Sequence, residues 1–562
     1  MKPFKTTIRL YLLLSGTAAW IMFTGCSKQR PQSETIVPPP AALQLLSTTV
    51  NGRSSIGVHR GVVLQPVIQL RFSAPVKKPV TGILWNEASG AAVAFNFINT
   101  ASDSIVELQP AERLMALSRY RITVSSGLQS AAGSSLPAAV TTELIAGIDS
   151  SRKFPLITDD SLLTLVQKQT FRYFWDFGHP VSRLARERNT SGDVVTSGGS
   201  GFGVMAMVAA VHRGFITRAQ AVNRLQTIVG FLKNTAQKFH GAFPHWMNGS
   251  SGVVVPFSAN DNGADLVETS FLLQGLLTAR QYFNGSDAAE TNLRNDINSI
   301  WNGVEWSWFR KNNENQLYWH WSPTVGWAIN LPIRGWNECL ITYVLAASSS
   351  SHSIPKAVYD NGWAANGGMR NGNAYFGQVL PLGPPFGGSL FFSHYSFLGI
   401  NPNNLTDAYA NYEVQNTAHA LINHNHCKVN PKNNFGYSDS VWGLTASDVP
   451  NGYTASSPTN DVGVIAPTAA LSSFPYTPAE SMKALKFFYY VLGDKLWGEY
   501  GFKDAFRLGD PWFASSYLAI DQGPIIVMIE NYRSGLLWNL FMSCPEVKTG
   551  MRALGFQSPF IH

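Results

Sequence analysis

Cysteine and charged residues are both scarce in this sequence of 562 residues. It contains four cysteines, at positions 26, 339, 427 and 544, and only 14% of its residues are charged. Four scattered cysteines form neither a disulfide framework nor a Cys-x-x-Cys metal site. The chain must therefore fold without covalent cross-links, and its 45% hydrophobic content is typical of a globular protein.

The sequence also lacks any dense run of positive charge. Its formal net charge is +7, but the lysines and arginines are scattered, which argues against nucleic-acid binding. The glycine-rich stretch at residues 198–203, GGSGFG, matches no GxxxxGK[ST] pattern. We expect it to precede a helix with no strand before it, so it does not indicate a phosphate-binding loop.

The first 26 residues resemble a bacterial lipoprotein signal peptide. Residues 1–9 are basic, and residues 10–23 form an apolar run that is too short for a mature transmembrane helix. Small residues come immediately before Cys26, so we expect cleavage there and a lipid on its thiol. The protein would then be exported to the periplasm, outer membrane or cell surface, with the lipid as its only membrane anchor. The alternative is an ordinary secretory signal with an incidental cysteine.

Two segments follow this leader before the main domain. Residues 27–44 are polar and proline-rich, which predicts an extended tether. Residues 45–147 alternate apolar and polar side chains in short runs broken by turns. This pattern predicts a small all-β domain, an immunoglobulin-like sandwich of roughly seven strands. It holds no cluster of catalytic residue types, so we expect it to serve as a spacer or a packing partner.

From residue 155 to residue 562 the apolar period changes to 3.6, which predicts a mainly α-helical domain. Its ten or eleven helices approach the twelve of an (α/α)6 toroid, and no strand pattern indicates a parallel sheet. The long loops at 360–406 and 427–462 are typical of functional segments. The predicted helices cover residues 159–176, 202–213, 217–239, 263–283, 286–309, 336–350, 407–426, 463–473, 478–493, 523–542 and 545–555.

Asp261, Asp265 and Glu268 are the most informative acidic residues. They are spaced i, i+4 and i+7 in an otherwise apolar stretch, so on one helix they would project from a single stripe. A solvated acidic face explains such spacing in most helices. In a chain with so little charge, a cluster that faces a cleft is an equally good explanation. At the helix start, such a cluster is favoured by the free N–H groups and the helix dipole.

Two further apolar helices are predicted to begin near an isolated carboxylate. Glu338 lies in the sequence GWNECL and Asp521 in YLAIDQGP. Each one alone is explained as an N-terminal capping residue. Three apolar helices that all begin in this way are less easily explained by capping, and they indicate one cleft lined with carboxylates.

Aromatic side chains are candidates for the walls of such a cleft, because their faces stack on sugar rings as well as filling cores. The high aromatic content, 12% of the chain, therefore permits carbohydrate binding. Core packing is the alternative for about half of the candidates, which are His245, Trp246, Trp321, Trp336 and Trp442.

Four segments together resemble the bacterial glucoamylase-like proteins and, more narrowly, glycoside hydrolase family 144, the β-1,2-glucanases. They are DNGADLVETSFLLQGLL, GWNECLITYVLAASS, GYSDSVWGLTASD and the pair YGFKDAF…YLAIDQGPIIVMIENYRSGLLW. The resemblance covers about residues 155–555. It implies an (α/α)6 barrel, inverting hydrolysis of β-1,2-glucan to sophorose or sophoro-oligosaccharides, and no metal or other cofactor.

The resemblance also implies roles for individual residues. Glu338 is the expected general acid, and Asp521 is the first candidate for the general base, with Asp261 second. Asp265 and Glu268 would hold sugar hydroxyls next to the scissile bond. Inverting hydrolysis needs a protonated carboxyl for the leaving oxygen and a carboxylate that activates water, about 6.5–9.5 Å apart. Crowding carboxylates in a partly dry cleft keeps one of them protonated near neutral pH.

Two other classes of function stay open from the sequence. One is a toroid hydrolase or lyase that acts on a different polysaccharide. The other is a non-catalytic glycan-binding lipoprotein, although none of the matched carboxylates is missing. The sequence does not decide between endo and exo attack. It carries no signal about oligomeric state, and a monomer is the default expectation.

Overall fold

The computed structural model describes residues 41–54, 57–98 and 102–562. The predicted signal peptide, Cys26 and most of the predicted tether lie outside these residues. None of the helices in the described part of the chain has both the length and the hydropathy that a bilayer crossing requires.

The N-terminal part of the described chain is a β domain of two four-stranded sheets. One sheet has the order β1-β3-β6-β5 and the other β2-β8-β7-β4; all pairs are antiparallel except β2 with β8. The strands are β1 Leu45–Val50, β2 His59–Val62, β3 Ile68–Phe72, β4 Ile83–Glu87, β5 Phe95–Ile98, β6 Ile105–Pro110, β7 Arg119–Val124 and β8 Val140–Ala146.

The alternating pattern of the strands produces the core of this domain. Leu70 and Leu108 from one sheet join Trp85 and Ile122 from the other in a single buried cluster. The described residues of this domain contain eight strands where roughly seven are expected. β3 begins at Ile68, just after Pro66, and proline cannot donate to a strand ladder.

The rest of the chain is mainly helical. The described residues contain fourteen α-helices: α1 Asp159–Trp175, α2 Ser197–His212, α3 Arg218–Asn234, α4 Leu266–Tyr282, α5 Ala288–Asn302, α6 Leu340–Ser348, α7 Lys356–Asn361, α8 Tyr412–Val429, α9 Pro467–Leu471, α10 Pro478–Tyr490, α11 Gly493–Leu496, α12 Ala519–Ser534, α13 Leu536–Met542 and α14 Pro545–Leu554.

The helices form an inner and an outer layer. Helices α2, α4, α6, α9 and α12 are buried along almost their whole length. Within this inner layer α2 packs on α4 and α12, α4 packs on α6, and α12 packs on α9. Helices α1, α10 and α14 cover the layer from outside, while α3 and α5 pack on each other beside it. The layered packing buries the apolar faces that the 3.6-residue period predicts.

Fifteen short strands connect the helices. They are β9 Val194–Thr196, β10 Trp246–Asn248, β11 Val254–Val255, β12 Ala264–Asp265, β13 Leu317–Tyr318, β14 His320–Trp321, β15 Pro332–Ile333, β16 Ala374–Tyr375, β17 Gln378–Val379, β18 Ala446–Val449, β19 Gly452–Ala455, β20 Trp497–Gly498, β21 Gly501–Phe502, β22 Phe506–Arg507 and β23 Trp512–Phe513.

The glycine-rich stretch at 198–203 lies inside α2 and not before it, and β9 precedes the helix, contrary to expectation. Its glycines allow α2 and α4 to approach closely. A Cβ atom on Gly201 would lie 2.2 Å from the carbonyl oxygen of Phe271, and one on Gly275 would lie 2.1 Å from the carbonyl oxygen of Gly201. Only glycine fits such a contact, so the stretch serves helix packing.

Candidate active site

A cavity of about 420 Å³ opens among the loops that begin the inner helices. Aromatic and apolar side chains form most of its wall, and a smaller polar set lies at one side. The aromatic members are Trp246, Phe257, Phe391, Tyr395 and Tyr453. The polar members are Glu187, Arg188, Thr196, His245 and Glu268. An apolar cleft with a few converging polar groups is typical of a small-molecule or carbohydrate site.

Asp265 is the N-cap of α4 and is fully buried. One carboxylate oxygen accepts the N–H groups of Val267 and Glu268 at 3.0 and 2.9 Å, while the other is 3.0 Å from His245 Nδ1. Burial raises the pKa of this carboxyl. The hydrogen bond and positive charge of His245 and the charge of His320 outweigh burial and lower the pKa below its usual range. Asp265 is therefore a fixed negative charge.

The helix therefore begins later than the sequence pattern predicts. Asp265 has extended backbone angles, because β12 pairs with β14, Ala264 opposite Trp321 and Asp265 opposite His320. Asp261 lies in the turn before this strand, so the predicted single helical stripe of three acids is wrong. The acidic side chains instead gather around His245 and His320.

Asp261 is buried, and its carboxylate lies 3.4 Å from the Nδ1 atom of His320. The same nitrogen is 3.7 Å from the carboxylate of Asp265. Burial lowers the pKa of His320, but the adjacent carboxylates of Asp261 and Asp265 raise it overall. His320 is thus a countercharge between the two aspartates.

Glu268 lies at the cavity wall, in the first turn of α4. Its Oε2 atom accepts a hydrogen bond from the Gly198 N–H at 2.7 Å and one from Thr196 Oγ1 at 3.3 Å. Burial raises the pKa of Glu268, and the positive charge of His245 only partly opposes this. The pKa of His245 is in turn raised to about 9, because the carboxylates of Glu268, Asp265 and Asp261 outweigh its burial.

Glu338 lies in the turn just before α6, two residues ahead of Leu340, and not inside the helix as expected. Its carbonyl oxygen accepts a hydrogen bond from the Ser396 hydroxyl. Burial, followed by the negative charges of Glu268 and Asp265, raises the pKa of its carboxyl to about 7. Such a carboxyl keeps its proton near neutral pH, as a general acid must.

Asp521 lies in the first turn of α12 and is 2% exposed. Its neighbours Leu518 and Ile520 line the cavity, while its carboxyl points into the protein toward Asp504. Burial and then the charge of Asp504 raise the pKa of Asp521 well above its ordinary value. Tyr395 lines the cavity and lies within electrostatic reach of Asp521, Glu338 and Glu268.

Comparison with known proteins adds an independent observation. The family model described as "Putative glucoamylase" matches residues 330–545. The endo-β-1,2-glucanase of Chitinophaga pinensis, solved with sophorotriose and glucose, is 51% identical with a TM-score of 0.70, over 72% of this chain and 100% of that one. The chain belongs to glycoside hydrolase family 144.

Two relatives from Parabacteroides distasonis show how far this family 144 likeness extends. An exo β-1,2-glucooligosaccharide sophorohydrolase acting at the non-reducing end is 47% identical over 428 residues. The alignment takes in 72% of this chain, which spans 59% of that relative's length. A β-1,2-glucanase structure is 39% identical with a TM-score of 0.70, over 92% of this chain and 73% of that one. This last alignment extends from the helical domain into the β domain.

The structure divides the predicted stacking residues of the family 144 chain into two groups. His245 and Trp246 line the cavity, with ring centroids 4.4 and 4.8 Å from that of Phe257. Trp321 is half-buried, and its ring meets Trp308 edge to face. These three side chains keep surface that a sugar can contact.

The other two tryptophans belong to the core. Trp442 is fully buried and donates its indole N–H to the Glu480 carbonyl. Trp336 is 5% exposed and packs among Trp363, Phe397 and Tyr412. Neither ring has a free face, so the prediction that they bind substrate is wrong in this geometry.

One set of side chains has the spacing of a metal site. Ligand atoms of His245, Asp261 and Asp265 lie within 4.8 Å of one another. However, the pKa of His245 is raised to about 9, so at neutral pH a metal would have to displace the proton of the imidazole. A protonated imidazole has no lone pair for a metal, so the arrangement fits a buried ion-pair cluster better than a metal centre.

Several residues of the site were not found from the sequence. Glu187 and Arg188 line the cavity from a loop, and Tyr453 lines it from β19; none of them lies in a family-specific spacing. Asp504 lies inside YGFKDAF, one of the matched segments. Its signal, one acid among apolar residues, was available, but only the tertiary structure shows that it faces Asp521.

Proposed function

We propose that this protein is an exported glycoside hydrolase that cleaves β-1,2-glucan to sophorose or sophoro-oligosaccharides with inversion at the anomeric carbon. The observation that supports this most strongly is the environment of Glu338. Its carboxyl has a pKa raised to about 7 beside the carboxylates of Glu268 and Asp265, in a family 144 chain whose relatives are named for β-1,2-glucan.

In this proposal Glu338 donates its proton to the leaving glycosidic oxygen. Asp265 and Glu268 accept hydrogen bonds from the hydroxyls of the sugar next to that bond, and their charge supports the positive character that develops on the ring. His245 keeps this cluster near neutrality. Trp246 and Trp321 supply apolar faces for the sugar rings.

Asp521 is the proposed general base, and Asp261 is the second candidate. The carboxyl of Asp521 is buried behind the wall formed by Leu518 and Ile520. We therefore propose that it takes the proton of the attacking water through a relay of a substrate hydroxyl or a second water. Asp261 is less suitable as a base because its carboxylate already forms an ion pair with His320.

We further propose that the inner and outer helices close an (α/α)6 toroid and that the β domain is an immunoglobulin-like sandwich. The buried inner layer of helices and the outer helices that cover it support the toroid. The two packed four-stranded sheets support the sandwich. The domain limits proposed are 45–147 and 155–562.

The test is product analysis on linear β-1,2-glucan, with laminarin, a soluble cellulose derivative and starch as controls. Sophorose or longer sophoro-oligosaccharides from the first polymer alone is the expected result. NMR of the fresh products must show the anomer opposite to that of the substrate linkage. Activity on another polymer alone would overturn the substrate assignment, and no activity on any polymer would favour a binding protein.

Product lengths also decide the mode of attack, since the relatives include both an exo-acting and an endo-acting protein. Sophorose as the sole early product indicates exo attack, and a ladder of product lengths indicates endo attack.

Dialysis against EDTA is expected to leave the activity unchanged, because a monomeric enzyme without a metal or other cofactor is proposed.

We propose in addition that the chain is cleaved before Cys26 and anchored by lipid on that cysteine in the periplasm, outer membrane or cell surface. The basic, apolar and small-residue order of residues 1–26 supports this. Mass spectrometry of the mature protein from membranes would detect the lipid. A Cys26→Ser variant recovered in the same lipidated membrane fraction would contradict it.

A further inference from the structure

Two carboxyl groups meet behind the cavity wall. Asp521 lies in the first turn of α12, and Asp504 lies between β21 and β22; each is 2% exposed. Their carboxyl groups face each other, close enough to form a hydrogen bond once one of them carries a proton. Neither residue is part of the lining of the cavity, but Asp521 directly follows Ile520, which is.

The hydrogen bonds available to this pair are few. The Oδ2 atom of Asp504 accepts the N–H of Asp448 at 2.7 Å. The remaining oxygen of Asp504 and both oxygens of Asp521 are buried, and in the described part of the chain no other group donates to them. An ionised carboxylate can only accept a hydrogen bond, so contact between these two groups requires a proton.

The charges that surround the pair do not compensate a second negative charge. Asp448 on β18 faces it, as does Arg188 from the loop before β9. The guanidinium of Arg188 is already shared, with Nη1 3.2 Å from Asp448 and Nε 2.9 Å from Glu187. These three charged groups sum to one negative charge, and the phenols of Tyr453 and Tyr395 also face the pair.

Burial acts in the same direction as these charges. It is the largest cause that raises the pKa of Asp504, to about 7, and that raises the pKa of Asp521 still further above its ordinary value. Two carboxyl groups in such surroundings titrate as a unit, and the second proton to leave is strongly held.

We infer that Asp504 is a positioning residue that holds one proton in common with Asp521, so that the pair carries a single negative charge. This inference rests on the proposed role of Asp521 as general base. The shared proton lies between one oxygen of each residue. The other oxygen of Asp521 then stays able to accept the proton that the attacking water releases, and Asp504 sets the pH at which this is possible.

The experiment compares Asp504→Asn with the wild-type protein and with Asp461→Asn. Asp461 is another buried aspartate, bonded to His426 and Tyr437 and outside the pair. The pH dependence of kcat/KM is measured from pH 4 to 9 on soluble β-1,2-glucan. The melting temperature is measured over the same range.

In Asp504→Asn the carboxamide accepts the Asp448 N–H as before and donates its own N–H to Asp521. The shared proton of the wild-type pair stabilises the single negative charge more strongly than a carboxamide N–H does, so the acidic limb of kcat/KM should move up by roughly one pH unit. Asp461→Asn should keep the wild-type limb. A merely structural role for Asp504 would lower activity without moving the limb.

The melting temperature tests the shared proton without any assay of activity. A pair that takes up a proton on folding loses stability as the pH rises from about 4 to 7. This loss should shrink in Asp504→Asn and equally in Asp521→Asn, and should persist in Asp461→Asn. If Asp504→Asn does not fold, Asp521→Asn provides the same comparison.

An unchanged acidic limb together with an unchanged dependence of melting on pH would overturn the inference. A wild-type protein inactive on β-1,2-glucan would overturn the proposed function instead. The melting comparison would still decide whether the two carboxyl groups share a proton.

Discussion

Replacing Glu338 by glutamine is expected to abolish hydrolysis and to stabilise the protein above neutral pH. The glutamate has an ordinary pKa of 4.5, and burial with two neighbouring carboxylates raises it to about 7. Between these values the folded protein keeps a proton that the unfolded chain has lost. The contribution of Glu338 to stability is therefore fully present below pH 4.5 and is lost as the pH rises to 7.

The size of the effect follows from the shift of about 2.5 units, at ~1.36 kcal/mol per unit. This gives about 3 kcal/mol as an upper limit, because the side chain of Glu338 keeps some contact with solvent. For a domain of about 400 residues with an unfolding entropy of ~2.1 cal/mol/K per residue, that is a rise in Tm of at most about 3–4 °C.

The assay is calorimetry of both proteins at pH 4, 6 and 8, beside hydrolysis of β-1,2-glucan. The difference in Tm should be near zero at pH 4 and largest at pH 8. The wild-type kcat/KM should decline above about pH 7 as the acid loses its proton. Equal Tm differences at pH 4 and pH 8, or retained activity in Glu338→Gln, would refute the reasoning.

Glu530→Gln is the matched control, because it makes the same substitution at a fully buried glutamate with the opposite shift. Burial raises the pKa of Glu530, but the Arg213 guanidinium, with N–O distances of 2.7 and 2.8 Å, lowers it overall. This variant should lose about 3–5 kcal/mol at neutral pH. The loss should shrink as the pH falls, since the ion pair contributes only while the carboxylate is ionised.

Five further substitutions test the packing and the site. Gly201→Ala should destabilise the protein severely, because its Cβ would meet the backbone of α4 at 2.2 Å. Gly230→Ala in α3 has open space around its Cβ and should stabilise the protein by about 0.4–1 kcal/mol. Thermal melts of both variants test these two expectations. Asp265→Asn keeps a capping oxygen but removes the charge beside His245, so Tm should fall at neutral pH, and NMR titration should find that the pKa of His245 has fallen from about 9. Trp246→Ala should raise KM by about twofold to tenfold with little change in Tm, whereas Trp442→Ala should cost about 3–5 kcal/mol.

Much of the helical domain could be predicted from its apolar period. The predicted segments at 159–176 and 478–493 match α1 and α10 to within a few residues. The error at α12 has a local cause: Gly535, with φ of 68°, divides the predicted helix into α12 and α13. Such a left-handed residue ends a helix without interrupting the apolar pattern.

The start of α4 shows a different kind of error. The spacing of Asp261, Asp265 and Glu268 fits a helix, but β12 pairs with β14, which lies more than fifty residues later in the chain. A strand pair of this kind depends on contacts across the fold, and no local pattern in 257–283 contains it.

The sequence by itself determined the succession of a β domain and a helical domain, the family, and the acidic and aromatic residue types that the site needs. It also singled out Glu338. Only the tertiary structure decided which of these residues meet: His245 and His320 among the aspartates, Asp504 against Asp521, and Trp442 in the core. The physical reason is that the apolar period, which predicts helices and strands, depends only on residues close together in the chain. A pKa, an ion pair or a cavity wall depends on side chains that are distant in the chain and that only packing brings together.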